Sequence, residues 1–165
     1  MEKHILMETL AGVRFLRGVT RDHLEQIASV AELSDFEESD VLFRSGDTAE
    51  SVYLVVFGKL VLELCTPEWG CKQVVEVGPG EILGWSSLSE HRELAATARV
   101  LEKTRVVRID GKKLLAICEE DPEFGYEFMH RTMLALAKRL TATWTQLLQV
   151  HVVHFLPTTT SAGER

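Results

Sequence analysis

Basic charge, cysteine and long apolar runs are all scarce in this chain, and each shortage excludes something. Eighteen Lys and Arg stand against 25 Asp and Glu in 165 residues, a formal net charge of −7. Nucleic acids and anionic membrane surfaces select basic faces, so neither is expected as a general partner. Three cysteines, an odd number, give no disulfide framework. No apolar run is long enough to cross a bilayer. Met1–Glu8 lacks a basic region followed by an apolar block, so no secretory signal is read and a cytoplasmic protein is expected. No nucleophile, base and orienting group can be grouped, and no carboxylate pair flanks a glycine-rich turn. An enzyme is therefore not expected. The histidines at 4, 23, 91, 130, 151 and 154 put no pair on one predicted strand, so no metal site is assigned. His151 and His154, one turn apart, are read as interface or helix-dipole residues, with a metal or a pH-tuned contact as the alternative.

What remains is an ordinary globular composition, with 45% hydrophobic and 26% charged residues. One domain over residues 1–156 is expected, followed by a disordered tail at 157–165. Residues 5–17 suit a short helix that breaks near Gly18. Thr20 is a candidate N-cap for a second helix whose Leu24, Ile27, Ala28 and Val30 face a core. From Leu33 the pattern becomes β-like. Runs at Val41–Phe43, Val52–Phe57, Leu60–Cys65, Lys72–Val77, Leu94–Val100 and Thr104–Ile109 are separated by turn clusters, with Gly58-Lys59 read as a break. Short strands with frequent turns point to a barrel or double-sheet roll. Cys65 and Cys71 bracket the Thr66–Gly70 loop. Plain β-packing is preferred there over a disulfide or metal site. Cys118 is expected in a buried helical position.

The centre of the chain is the stretch from Val77 to Thr97. Gly78, Pro79, Gly80 and Gly84 supply turns and close backbone approach. Gly84-Trp85-Ser86-Ser87-Leu88 reads as a short helical turn, and Ala95-Ala96-Thr97 as the start of a small-residue strand. Turn, helical cap and strand together suit a phosphate or other anion.

The chain ends in a helix. Asp110 can cap a short one, and Asp121-Pro122-Glu123 is a strong start for a long one over about 122–154. Met133, Ala137, Leu140, Trp144, Leu147, His151 and His154 follow a heptad spacing. Such a seam suggests a partner helix and a homodimer, with packing against the chain's own strands as the alternative.

The residues from Asp40 to Leu60, with Gly84, Ala96-Thr97 and Val106–Asp110 leading into the long helix, resemble the cyclic nucleotide-binding domain of the Crp–Fnr and protein kinase A regulatory families. The resemblance runs from about residue 10 to 155, with Gly46, Gly58 and Gly84 at family turn positions. It implies an α+β fold, a β-roll (a jelly-roll-like barrel) of about eight strands with short N-terminal helices and a long C-terminal helix. It also implies a cassette reading Phe-Gly-Glu, then apolar residues, then Arg-Ala-Ala-Thr. The Glu would hold the ribose 2′-hydroxyl and the Arg the cyclic phosphate.

This sequence departs at both positions, with Trp85 after Gly84 and Leu94 before Ala95. Two charge-assisted hydrogen bonds lost, at about 1.5–3 kcal/mol each, weaken binding by roughly 10²–10⁴-fold. Cyclic AMP held in the usual way is not expected. Arg92 could replace the missing cation, or remain a loop charge. Ser86 and Ser87 could hold an anion or only cap the short helix. Trp85 could stack on a base or fill the ribose space. The resemblance places Thr143 and Trp144 above the ligand, and Trp144 is also on the seam. The expected site is thus Gly84, Trp85, Ser86, Ser87, Leu88, Arg92, Ala95, Ala96, Thr97, Thr143 and Trp144. Its ligand would be a cyclic nucleotide (cyclic AMP or cyclic GMP) or another small anion. Residues 157–165 leave no room for the winged helix-turn-helix of transcription-regulating relatives, so DNA reading through it is not expected. The expected function is a stand-alone sensor or regulatory homodimer. The alternative is a degenerate domain that binds no ligand and serves as an interaction scaffold.

Overall fold

One strand, β3 (Ser51–Thr66), organises the sheet. The computed structural model describes residues 2–155, without the side chains of residues 150–155. The predicted tail at 157–165 and the side chains of His151 and His154 lie outside the described residues. Besides β3 the sheet contains β1 (Ala31–Phe36), β2 (Val41–Phe43), β4 (Gly70–Val77), β5 (Ile82–Leu83) and β6 (Thr97–Asp110). All pairings are antiparallel, in the order β1-β6-β3-β4, with β2 on β6 and β5 on β3.

Alternation along the strands separates two cores, because successive side chains point to opposite faces. Val52, Leu54, Ile82, Val107 and Ile109 face the helices. Their neighbours Val55, Leu83 and Val106 face the interior of the roll with Leu60, Val77 and Val100. The helical layer holds α1 (Glu2–Gly12), α2 (Arg21–Ala28), α3 (Gly111–Glu120) and the first turns of α4 (Pro122–Phe155). Phe124 and Phe128 are fully buried there, and Phe15 meets Phe128 edge-on at 5.4 Å.

The caps lie where the sequence places them. The side chains of Thr20 and Asp110 accept from the backbone N–H of His23 and Lys113. Asp121 Oδ1 accepts from Phe124 N–H at 3.1 Å, and Pro122 opens α4. The other Asp121 oxygen is 3.0 Å from His23 Nε2, and the imidazole lies 5.0 Å from the Phe124 ring. This carboxylate therefore fastens α2 to the start of α4.

The α+β roll stands, with differences in detail. The described residues form six strands, fewer than the resemblance implies, because β3 and β6 each run through what the sequence reads as two. Gly58 does not end a strand. It sits inside β3 at φ +93°, where the β3–β6 register shifts, and a side chain there would collide with Thr104 and the Lys103 carbonyl. The first helix stops at Gly12, and a 3-10 turn at Arg14–Leu16 follows, instead of one helix reaching Gly18. The strand expected from Leu94 begins at Thr97.

Plain β-packing of Cys65 and Cys71 is also corrected. The two are direct cross-strand partners in the β3–β4 register and are joined by a disulfide. Cys118 is half-buried, and desolvation pushes its thiol up to about 11. On α4, Met133, Leu140, Trp144 and Leu147 are all about half exposed, so the heptad seam is not buried against the chain's own strands.

Asp121→Ala should lower the melting temperature by roughly 2–6 °C, since a cap and an inter-helix contact are lost together. The Phe124 N–H, and then the His23 interaction, hold the Asp121 carboxyl below its ordinary range. A depressed native pKa contributes stability that is full above the unfolded carboxylate value of about 3.9 and fades as pH falls through the native value. Thermal melts of both proteins should thus differ most near neutral pH and converge in acid. A constant difference across that range would rule the capping role out.

Candidate functional site

The cassette is anchored first by backbone pairing. Ile82 and Leu83, both buried, pair with Leu54 and Tyr53 of β3, and the chain turns at Gly84 with φ +70°. A Cβ on Gly84 would run into the Ser51 carbonyl and sit 3.0 Å from the Tyr53 ring, so only glycine fits. Trp85–Leu88 then form a 3-10 turn in which Ser87 N–H donates to the Gly84 carbonyl at 3.0 Å.

The serines do not cap this turn through their side chains. Ser86 is buried, and its carbonyl accepts from both the N–H and the hydroxyl of Ser89. Ser87 is fully buried, with a hydroxyl that has no hydrogen-bond partner among the described residues, and it lies where a Cβ on Gly111 would be. Leu88 packs on the helix-side core. Trp85 points the other way. It is 41% exposed and lines an apolar groove of about 700 Å³ with Met133, Leu136 and Leu140 of α4.

The second half of the cassette is laced to the segment after β2. Ala49 N–H donates to the Arg92 carbonyl, and Leu94 N–H donates to Asp47 at 2.9 Å. The Leu94 carbonyl accepts from Gly46 at 2.8 Å, and Ser45 Oγ donates to the Ala95 carbonyl at 3.3 Å. Thr97 is buried, and its hydroxyl accepts from Ser45 N–H at 3.0 Å. Ala96 is half-buried beside it. Leu94, at the position where the family places its cation, is only 6% exposed. The Arg92 side chain lines a separate cleft of about 300 Å³ with Thr48, Glu50, Arg108 and Lys112.

The structure thus brings Gly84, Ser86, Ser87 and Leu88 together, and joins Leu94–Thr97 to Ser45–Asp47. Arg92 lines the neighbouring cleft, two of whose residues, Glu50 and Ser51, also border Ser87 and Gly84. Thr143, half-buried on α4, donates its hydroxyl to the Arg139 carbonyl at 3.0 Å, and Trp144 is 57% exposed.

Arg139 is the residue that sequence reasoning missed. Its guanidinium is mostly buried, and Nη2 donates to the Ile82 carbonyl at 2.9 Å and lies 3.8 Å from Glu81 Oε1. Its Nε has no hydrogen-bond partner among the described residues. Burial pulls its pKa below the ordinary arginine value, and Glu81 opposes that shift. A signal was available, because residue 139 lies four before Thr143 and so shares its helix face. Among the described residues, no group of three or more His, Cys, Asp or Glu could hold a metal ion, and no helix is long and apolar enough to cross a membrane.

Residues 33–121 match the model of the cyclic nucleotide-binding domain. The chain is 27% identical over 120 residues to a cAMP-dependent protein kinase regulatory subunit of Dictyostelium discoideum, covering 71% of this chain and 37% of that protein. It is 21% identical over 136 residues to a CRP-like cAMP-activated global transcriptional regulator of Mycobacterium tuberculosis, covering 82% and 59% respectively. The chain thus spans less than two thirds of the length of either relative. A crystal structure of a cyclic nucleotide-binding domain from Methylobacillus flagellatus superimposes with a TM-score of 0.75 at 16% identity, covering 98% of this chain and 85% of that one.

Gly84→Ala should cost roughly 2–4 kcal/mol, the sum of a left-handed residue and an overpacked contact. Urea unfolding checks this. A cost near zero would mean that the turn re-forms without the close approach to Ser51.

Proposed function

This chain belongs to the cyclic nucleotide-binding domain family, and from that premise we propose that it is a ligand-responsive regulatory module, not an enzyme, with a non-standard pocket. The pocket takes a cyclic nucleotide, cyclic AMP or cyclic GMP, or another small anion. The observation that carries this reading is the exchange of charge positions at the cassette. Leu94 is buried where a phosphate-binding cation is expected, while a mostly buried cation, Arg139, reaches the cassette backbone from α4. A mostly buried guanidinium whose ion-pair partner Glu81 stands 3.8 Å away, and whose Nε has no hydrogen-bond partner among the described residues, has donors left for an anionic ligand, and further pairing would offset its desolvation. The exposed seam of Met133, Leu140, Trp144 and Leu147 supports a homodimer through α4. The acidic balance disfavours nucleic acid and anionic membranes as partners, and a cytoplasmic setting fits the reading.

A second reading keeps the fold but not the ligand. Trp85 and Leu94 replace both polar contacts that the family cassette supplies, and Thr97 already spends its hydroxyl on Ser45. The domain is then a scaffold that works through α4.

Calorimetric titration with cyclic AMP and with cyclic GMP separates these readings when repeated on Arg92→Ala and Arg139→Ala. The sensor reading expects binding that Arg139→Ala weakens by about 10–100-fold, the worth of one charge-assisted contact, while Arg92→Ala changes little. Loss in Arg92→Ala alone would move the anion to the other cleft. No heat from either nucleotide at millimolar concentration would leave the cyclic-nucleotide reading untenable. Separately, Leu140→Glu should convert a dimer to a monomer in sedimentation velocity. A wild type that sediments as a monomer would refute the dimer.

A further inference from the structure

We infer that Cys65 and Cys71 form a reversible thiol–disulfide site at the tip of the β3–β4 hairpin. The site exchanges with small thiols and disulfides of the glutathione class, and its redox state sets how tightly the loop carrying Trp69 is restrained on a hairpin that stays paired in both states. Three observations lead there. The first is that the hairpin does not need the cross-link. Thr66 pairs with Gly70, Thr66 Oγ1 accepts from Trp69 N–H at 3.2 Å, and Gly70 sits at φ +66°. A three-residue loop ended by a left-handed glycine is a self-sufficient hairpin turn, and Pro67 fixes its first dihedral. The two cysteines are only six residues apart, so the bond restricts the unfolded chain little. The pairs that bury apolar area, such as Leu60 with Val77, lie at the other end of the hairpin.

The second observation is access. Both cysteines are exposed, and thiol–disulfide exchange requires that a thiolate reach a sulfur. The remaining cysteine does not compete. Cys118 is half-buried at the end of α3, and desolvation, then Asp121 and Glu119, push its thiol up to about 11. At neutral pH it stays protonated and unreactive. The third is what the bond holds. Trp69, 71% exposed, stands in the five-residue stretch between the cysteines, and Leu64, the residue before Cys65 on β3, is also exposed. One step further along β3, Glu63 pairs with Thr97 of the cassette and binds Arg99 at 3.2 Å. Loosening that starts at the tip therefore stops where β6 takes over, at the edge of the cassette.

The exchange balances without further reactants. A small thiolate attacks one sulfur of the pair, forms a mixed disulfide and releases the other cysteine as a thiolate that takes a proton. A second small thiol then attacks the mixed disulfide. Two protein thiols and one small disulfide result, two electrons having moved from the small thiols to the protein. Oxidation runs the same steps backwards.

The test equilibrates the folded full chain in glutathione buffers of graded redox ratio, traps thiols with iodoacetamide and weighs the peptides. The pair should titrate reversibly between bonded and doubly alkylated forms. Cys65 and Cys71 should react more than about tenfold faster than Cys118, which should be labelled only on unfolding. Tryptophan emission should shift on reduction in the wild type and not in Trp69→Phe. The Cys65→Ser/Cys71→Ser double variant should keep the native circular dichroism spectrum. The inference fails if the bond opens only when the protein unfolds, if Cys118 is labelled at a similar rate, if the emission shift persists without Trp69, or if the double variant does not fold.

Discussion

The antiparallel pairing of β3 with β6, from Ser51 opposite Asp110 to Glu63 opposite Thr97, is the constraint on which the other elements depend. Because it is long and two-sided, one ladder fixes both cores. Val107 and Ile109 reach the helices while Val106 reaches the interior of the roll. Its two ends are also the two ends of the candidate site. At one end β6 runs into Asp110, which caps α3, and Gly111 N–H donates to the Glu50 carbonyl beside Ser87. At the other end, Thr97 begins β6 and closes the cassette. A shift in this register would move the 3-10 turn, the laced loop and the helical layer together.

Much of this was legible because local chemistry repeats a small set of rules. Thr20, Asp110 and Asp121 are capping residues followed by amphipathic runs, and each caps through its side chain. Gly84 was legible as a turn, although the reason for glycine, the close approach of Ser51 and Tyr53, belongs to the tertiary structure. Gly58 misled because glycine in a strand reads as a break. Here it marks a register shift within a strand whose neighbours, Thr104 above all, occupy the space of its missing side chain. The cysteine pair misled although its place on either side of the Thr66–Gly70 loop was legible, because an expected reducing compartment favoured plain packing, whereas the β3–β4 register sets the two directly opposite each other. Arg139 was hidden for a different reason. Beside Lys138 on a long helix, an arginine reads as a solvated charge, and only the fold of α4 over Ile82 buries it.

The substitution at position 94 changes more than one contact. The backbone there is pinned on both sides, by Asp47 and by Gly46, and the side chain is almost fully enclosed. A guanidinium at such a position needs an anion to offset its desolvation, so a family cassette with arginine there gains stability when its phosphate arrives. Leucine removes that dependence. Buried Leu94 carries no charge whose desolvation a phosphate would offset. The same holds for Thr97, whose hydroxyl is committed to Ser45.

In the proposed reading the ligand-facing charge is Arg139, on the helix that carries the seam, and this alters how a ligand would be felt. Arg139 ties α4 to the backbone of β5, the strand that leads directly into Gly84. An anion competing for that guanidinium would act on α4 itself, within one helical turn of Leu136 and Leu140. The same residues form the groove with Trp85, so cassette, cation and seam are adjacent parts of one surface. In the proposed dimer, ligand binding and α4 packing would draw on one guanidinium, and coupling between them would need no relay through the sheet. A two-site response requires that each ligand interact differently with the two states of a shared element. Here the shared element is the Arg139 tie, either made to Ile82 or released to an anion.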